Sequence, residues 1–195
     1  MLERDQFIFT DYWRTRMYAE INQAVDAVYP FPDTGVEFGG SNGVLQSMFP
    51  GTAFETRHYP RHDVCNPDSW EANWDIVLMD QVLEHVQRPW HVFDLLARHT
   101  KKIAILTLPF LALIHDWCPD DYWRMTPSAV RLLAGGSWRS VEVGSWGNDR
   151  AVHWLARYGF DMPSLLANVS EAELRSSLDE NNASIPVMIW VILRK

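Results

Sequence analysis

Three runs of large apolar residues limit what this chain of 195 residues can fold into. They read DIVLM at 75–79, IAILTL at 103–108 and VMIWVIL at 187–193. Runs of about 4–8 apolar residues are typical of strands that are buried on both faces of a sheet. The segments between these runs space their apolar residues three or four apart, as helices do. Strands that alternate with helices predict an α/β fold, a doubly wound and mostly parallel sheet with helices on both faces.

Shorter elements complete the predicted order. Additional strands are predicted at 36–38, 53–57, 63–64 and 141–144, which together with the three apolar runs makes seven strands. The first helix is predicted over 10–28, where Trp13, Met17, Ile21, Val25 and Val28 form one apolar stripe. Further helices are predicted over 44–49, from Pro89 onward, over 127–134 and over 149–158.

Composition indicates one ordinary globular domain, 1–195, because 47% of the residues are apolar and only 22% are charged. The net charge is −8 with scattered Lys and Arg, so we expect no nucleic-acid partner. Two cysteines without a pairing or metal-binding pattern, and charges near the N-terminus where a signal peptide is apolar, predict a cytoplasmic location. The apolar run at 185–193 is too short to span a bilayer, so we expect no membrane association. The sequence does not indicate an oligomeric state.

A glycine-rich turn, GGSNG at 39–43, follows the predicted strand 36–38 and precedes a predicted helix. Glycines let the backbone approach a ligand closely, and a helix that begins there presents free N–H groups. Glu37 lies just before the turn, and Glu55 lies 16 residues beyond Gly39. In nucleotide-binding units of this kind, an acidic residue about 20 residues past the turn accepts hydrogen bonds from ribose hydroxyls.

The same five residues also match G-x-S-x-G, the turn that carries the nucleophile in α/β-hydrolases, with Ser41 as the nucleophile. Asp80 or Asp120, with His115 or His153, would complete a triad in the required chain order. The hydrolase turn, however, comes late in its sheet, whereas only 38 residues precede Gly39. The hydrolase therefore stands as the alternative, beside a cofactor-binding module without turnover.

Three segments together resemble the class I S-adenosylmethionine-dependent methyltransferases. They are VEFGGSNG at 36–43, DIVLMDQVLEHVQRP at 75–89 and IAILTLPFLALIHDWCPDDYWRMT at 103–126. The chain is most similar to the broad group with a VLEHV..P segment after strand four, 75–79 in the predicted order, and an H…P.DYxR.T segment after strand five, 103–108. The likeness extends from Val36 to Trp146, and the strand at the end of the chain fits as well.

This resemblance implies a Rossmann-like, mostly parallel sheet of seven strands with a reversed last strand. It implies S-adenosyl-L-methionine as the cofactor and a small-molecule methyl acceptor. It also implies a single methyltransferase domain, in which 1–30 is an N-terminal helical segment and 145–185 covers the substrate side.

The resemblance also assigns the cofactor-binding residues. The glycine turn and the end of strand four would hold the methionine end, Glu55 would bind the ribose, and Asn66 would face the adenine, with Asp63 as the alternative. Two positions depart from the usual pattern, since Ser41 stands where a glycine is common and Asn66 where an acid is common. The full set of expected cofactor-binding residues is Glu37, Gly39, Gly43, Glu55, Asn66, Asp80 and Gln81.

Methyl transfer to a hydroxyl needs alignment and a base that removes the proton. His115 is the expected base for O-methylation, because histidine titrates near neutral pH and this one follows the predicted strand 103–108. A loop contact alone is the alternative role for His115, and an ion-pair set with Asp120 and Asp121 is the alternative role for Arg124. The residues expected to contact the acceptor are His85, Trp117, Tyr122 and Arg124.

No metal is expected. Some methyltransferases, including small-RNA 3′-end enzymes, are similar in this region but have Glu in place of Gln81. They bind a divalent cation through that Glu, the following Glu-His pair and a later His. This chain keeps Glu84, His85 and His115, but the loss of one anionic ligand weakens a site for a hard cation.

Overall fold

One mixed sheet organises the computed structural model, which describes residues 11–26, 30–39, 43–115 and 120–195. The strands in the described part are β1 (Thr34–Phe38), β2 (Ala53–Arg57), β3 (Trp74–Asp80), β4 (Thr100–Pro109), β5 (Ser140–Trp146) and β6 (Met188–Arg194). The α-helices are α1 (Tyr12–Val25), α2 (Val44–Ser47), α3 (Pro89–His99), α4 (Pro127–Ala134), α5 (Asp149–Tyr158), α6 (Met162–Asn168) and α7 (Glu171–Leu178), and short 3-10 helices lie at Pro67–Ser69 and Leu83–His85.

The strands lie in the order β2-β1-β3-β4-β6-β5. β1 is parallel to β2 and β3, and β3 is parallel to β4. β6 runs antiparallel to both of its neighbours. Because the chain builds outward from β1 in one direction and from β3 in the other, the carboxyl ends of these two strands flank the switch point where such folds bind ligands.

The predicted α/β class, the mostly parallel order and the reversed last strand are confirmed. The predicted number of seven strands is wrong, since the described residues form six. The missing strand was expected at 63–64, where the chain instead forms a turn. The carboxylate of Asp63 accepts the N–H of Cys65 and its carbonyl accepts the N–H of Asn66, so local bonds replace a strand ladder.

Alternate side chains of the central strands enter two separate cores. Ile76 and Leu78 of β3 pack on the face covered by α1, α2 and the helices α5–α7. Val77 and Met79 of the same strand pack on the opposite face, against α3 and α4. Burial on both faces explains why β3 and β4 read as uninterrupted apolar runs in the sequence.

In the C-terminal half, polar side chains cap the N-termini of helices by accepting hydrogen bonds from backbone N–H groups. Thr126 caps α4, as its place before Pro127 predicts, and Asn148 caps α5. Ser170 and Glu173 form a reciprocal capping box at the start of α7, which the sequence analysis did not predict. In the part of the chain that is described, no helix combines the length and the apolar character of a membrane span.

Candidate functional site

The carboxyl ends of β1, β3 and β4 bring most of the predicted site residues to one edge of the sheet. Phe38 at the end of β1 pairs with Met79, one residue before the end of β3. Asp80, the last residue of β3, pairs with Thr107 of β4. Gly39, Asp80 and Gln81 therefore follow neighbouring strands at the switch point of the sheet.

Gly39 has a backbone that a side chain would disturb in two ways. Its φ is +87°, and a Cβ atom built there would lie 2.6 Å from Cγ2 of Val82. Its N–H donates to the carbonyl oxygen of Arg57, which joins the turn to the end of β2. Its carbonyl oxygen lies 2.9 Å from Nδ1 of His58, a contact that the sequence did not reveal. Only glycine satisfies these requirements without strain.

Glu37 lies in β1 two residues before Gly39, and its side chain is buried. Its Oε2 accepts a hydrogen bond from Nε2 of Gln46, and burial raises the pKa of this carboxyl. Gly43 precedes α2 at a φ of +65°, where an added Cβ would meet open space. Gly39 and Gly43 thus both have a positive φ at the two ends of the glycine-rich segment, while Ser41 lies outside the described residues.

Asp80 is anchored from two directions. Tyr18 of α1 donates a hydrogen bond of 2.7 Å to Oδ2, and Thr107 donates one of 2.5 Å to Oδ1. Gln81 follows at a φ of 56°, a conformation that is uncommon outside glycine. The backbone N–H and the side-chain amide of Gln81 each lie 3.0 Å from Oγ1 of Thr107. Backbone strain of this kind concentrates at functional sites.

Glu55 lies within β2, two residues before its end, and its side chain is 45% exposed. Its Oε1 accepts a hydrogen bond of 2.5 Å from Nε1 of Trp74, and its Oε2 lies 3.1 Å from the guanidinium of Arg57. A ribose at this place would share the carboxylate with these two donors. Asn66 is exposed and uses its Oδ1 to cap the 3-10 helix that begins at Pro67.

Two imidazoles meet at the end of β4. Nδ1 of His115 lies 3.3 Å from Nε2 of His85, and the ring centroids are 5.2 Å apart. Nδ1 of His85 lies 2.6 Å from the carbonyl oxygen of Asp120. The ring of Phe160, in the segment after α5, is 5.6 Å from the ring of His115. Burial lowers the pKa of His115, although the carboxylate of Asp121 acts in the opposite direction.

Asp121, whose side chain is buried, and the half-buried Arg124 form an ion pair that organises the loop before α4. The two terminal guanidinium nitrogens of Arg124 donate to the two oxygens of Asp121, at 2.5 and 2.6 Å. These bonds, with the N–H of His115 that donates to Oδ2, hold the pKa of Asp121 at about 2. The N–H of Tyr122 donates to the carbonyl oxygen of Glu84. The loop is thereby fastened to the segment that follows β3.

The Glu84 side chain is fully buried, and neither of its oxygens has a hydrogen-bond partner among the residues described. Burial raises the pKa of this carboxyl to about 8. Donor atoms of Glu84, His85 and His115 lie within 4.8 Å of one another, so these three residues could meet at one cation. In its neutral form the carboxyl is a poor ligand for a hard cation, which needs charged oxygens.

The structure brings together Gly39, Asp80 and Gln81 at the switch point, and His85, His115, Tyr122 and Arg124 around the loop that follows β4. Trp117, the remaining predicted acceptor contact, lies outside the described residues. Sequence reasoning missed Tyr18 and Thr107 as parts of the site, whereas it did place Asp121 in an ion-pair set with Arg124. Tyr18 is 62 residues from its partner Asp80, and no local pattern signals such a contact.

Comparison with known proteins identifies the architecture. No family model and no curated protein matches the sequence. Solved structures do match. The plantazolicin methyltransferase BamL, bound to S-adenosylhomocysteine, has a TM-score of 0.58 at 12% identity, covering 98% of this chain and 88% of that one. A methyltransferase from Archaeoglobus fulgidus has a TM-score of 0.54 at 14% identity, covering 91% and 94%.

The fold is that of S-adenosylmethionine-dependent methyltransferases. Phosphoethanolamine N-methyltransferase 2 of Haemonchus contortus, bound to phosphomonomethylethanolamine and S-adenosylhomocysteine, matches with a TM-score of 0.52 at 13% identity. That match covers all of this chain, which spans 60% of the length of the Haemonchus enzyme. The structural similarity establishes the shared methyltransferase fold. At identities this low, the chemistry has to be argued from the residues of the site.

Proposed function

We propose that this chain is an S-adenosylmethionine-dependent methyltransferase that transfers a methyl group to a hydroxyl of a small molecule. The observation that carries the proposal is Gly39 at the switch point, whose positive φ and contact with Val82 only glycine can adopt without strain. There Gly39 faces the end of β3, in a fold shared with enzymes whose structures contain S-adenosylhomocysteine.

The residues of the switch point fit this cofactor unequally. Gly39, at a positive φ, brings the backbone after β1 against Val82, and beside it Asp80 ends β3 and Gln81 follows. Glu37 and Gly43 lie on the two sides of the turn. When bound, the cofactor would supply an electrophilic methyl group on a sulfonium. We propose that Glu55 binds the ribose, which would have to compete with the indole N–H of Trp74 for the carboxylate. We propose that Asn66 faces the adenine.

His115 is our proposal for the base that takes the proton from the acceptor hydroxyl. Support comes from its place after β4 and from the lowered pKa, which keeps the ring neutral and able to accept a proton at neutral pH. We propose that Tyr122, Arg124, His85 and Trp117 contact the acceptor. Tyr122 is 44% exposed, so its ring is available to a ligand.

We propose that the segment 145–185 covers the substrate side. Phe160 lies against His115, and the side chain of Leu113 would lie 3.5 Å from a Cβ built at Gly159. Both contacts join this segment to the loop that carries the proposed base. A small acceptor is favoured because an acidic chain repels nucleic acid and because BamL and the Haemonchus enzyme were each solved with a small molecule bound.

The hydrolase alternative gains no support from the topology. The G-x-S-x-G match follows β1, the first strand of the sheet, whereas a hydrolase nucleophile follows several strands. Modification of Ser41 by a fluorophosphonate, together with esterase activity lost in Ser41→Ala, would favour the hydrolase.

Calorimetry of the purified chain with S-adenosylmethionine, S-adenosylhomocysteine and NAD tests the proposal. We expect saturable binding of the first two and no binding of NAD. Binding of NAD alone would contradict the proposed function. Binding of the sulfonium cofactor without methyl transfer to any acceptor in a hydroxyl-containing panel would indicate a cofactor-binding module instead.

A further inference from the structure

The hydrogen bond between His85 and Asp120 determines where the ring of His85 carries its hydrogen. Nδ1 of His85 lies 2.6 Å from the carbonyl oxygen of Asp120. A carbonyl oxygen only accepts, so the hydrogen must be on Nδ1. In the neutral imidazole, Nε2 of His85 then carries the lone pair and accepts a hydrogen bond.

The partner of that lone pair is the second imidazole. Nε2 of His85 faces Nδ1 of His115 at 3.3 Å. Two lone pairs that faced each other would repel, so Nδ1 of His115 must be the donor. This arrangement moves the lone pair of neutral His115 to Nε2, because a neutral imidazole has one N–H and one accepting nitrogen.

The charge around the pair favours the same tautomer. Oδ2 of Asp121 lies 3.7 Å from Nδ1 of His115 and accepts the backbone N–H of that residue. Asp121 is held as an anion by Arg124, so its field attracts hydrogen toward Nδ1. Oε1 of Glu84 lies 3.8 Å from Nε2 of His85, too far for a hydrogen bond that would compete.

We propose that His85 is a positioning residue that fixes the Nδ1–H tautomer of His115, so that Nε2 of His115 is the nitrogen that accepts the proton of the substrate. The inference deepens the proposed function and rests on it for the role of the proton acceptor. The free imidazole ring prefers hydrogen on Nε2, which would block that nitrogen as a base. The carbonyl oxygen of Asp120 thus determines the tautomer of His85, and His85 in turn determines the tautomer of His115.

A cation held by the same residues would require the opposite arrangement. His85 would have to offer Nε2 to the ion, because its Nδ1 is held by the carbonyl oxygen of Asp120, and that lone pair could then no longer accept from His115. The hydrogen-bonded pair and the metal-bound pair are therefore mutually exclusive.

Long-range nitrogen–proton correlation NMR on the full chain with ¹⁵N-histidine, in metal-free buffer at mildly alkaline pH, measures the tautomer of His115. His115→Asn assigns the signal. We expect hydrogen on Nδ1 of His115 in the parent protein. The signal should change toward the Nε2–H form in His85→Asn, whose amide can still donate to Asp120 but has no acceptor at the Nε2 position. His85→Gln, which can place an amide oxygen there, should restore the Nδ1–H form.

His99→Phe is the matched control, since His99 also contacts a carbonyl oxygen, that of Ala72, through Nδ1 but lies at the end of α3. It should leave the His115 signal unchanged. Hydrogen on Nε2 of His115 in the parent protein would overturn the inference. Because the tautomer is read without turnover, an Nδ1–H signal in a protein that binds no sulfonium cofactor would contradict the proposed function and leave the positioning intact.

Discussion

The phenol of Tyr18 donates a hydrogen bond to the carboxylate of Asp80 and so joins α1 to the end of β3. Both side chains are buried, and Thr107 binds the other oxygen of the same carboxylate. The first helix is therefore part of the site, since it sets the orientation of a group at the switch point.

Tyr18→Phe should lower the free energy of unfolding by about 1.5–3 kcal/mol, the range for a hydrogen bond to a charged group. It should also weaken the binding of S-adenosylmethionine, because Asp80 loses one of the bonds that orient it. Urea denaturation and calorimetry measure the two effects. Tyr158→Phe on α5 is the control, and an equal loss in both variants would refute a specific role for the Tyr18 bond.

Gly39→Ala combines two sources of strain, the positive φ and the contact with Val82. The left-handed backbone alone costs about 1–2 kcal/mol for a residue with a Cβ, and overpacking typically costs about 1–3 kcal/mol. Gly51→Ala is the matched control, because Gly51 has a φ of +92° but open space around it. We expect Gly39→Ala to be the less stable variant in urea denaturation and to bind the sulfonium cofactor more weakly. Equal stability of the two variants would show that Val82 moves away at little cost.

Glu84→Gln should change how stability depends on pH. The folded state holds the Glu84 proton up to about pH 8, whereas the unfolded chain releases it near the ordinary value of 4.5. Between these values the folded state binds more protons, so this group's contribution to stability is full below pH 4.5 and is lost as the pH rises toward 8. The slope is at most about 1.4 kcal/mol per pH unit.

The stability of the parent relative to Glu84→Gln should therefore decrease as the pH rises, which denaturant midpoints at a series of pH values would reveal. Glu71→Gln, at an exposed position, should give no such trend. A constant difference between parent and Glu84→Gln would mean that Glu84 is ionised in the folded protein.

The apolar runs predicted β3, β4 and β6 well because burial on both faces leaves little choice of residue type. Tertiary context decided the rest. Asp63 accepts hydrogen bonds from the N–H groups of Cys65 and Asn66, so the segment predicted as a strand at 63–64 forms a turn. The pair of His85 and His115 depends on a loop that folds back over 30 residues, which no spacing rule describes.

Glu55→Ala should raise the dissociation constant of S-adenosylmethionine, since each hydrogen bond to a charged group contributes about 1.5–3 kcal/mol. Glu55→Gln should cost less, because one acceptor oxygen remains. Trp74→Phe is informative here, since it removes the indole N–H that occupies Oε1 of Glu55, and it should leave the carboxylate free for the ribose. Unchanged affinity in Glu55→Ala, with reduced thermal stability, would show that the carboxylate serves Trp74 and Arg57 alone.

His115→Ala should leave the cofactor affinity nearly unchanged and lower turnover by about 10²-fold or more, as expected when a general base is removed. In the parent protein the rate should fall as the pH drops through the lowered pKa of His115, because the protonated ring accepts no proton. That limb of the profile should disappear in the variant. His153→Ala, at an exposed position on α5, is the control and should retain both the turnover rate and the acid limb of the pH profile.

The other roles of His115 give different results in the same experiments. If His115 only braced the loop, its replacement by Ala would lower thermal stability, cofactor affinity and activity together, because the ring contacts with His85 and Phe160 would be lost. A metal ligand would make the parent sensitive to a chelator, with activity restored by Mg²⁺ or Mn²⁺. Loss of turnover alone, in a stable variant that still binds the cofactor and in a parent that a chelator does not affect, assigns the proton transfer to His115.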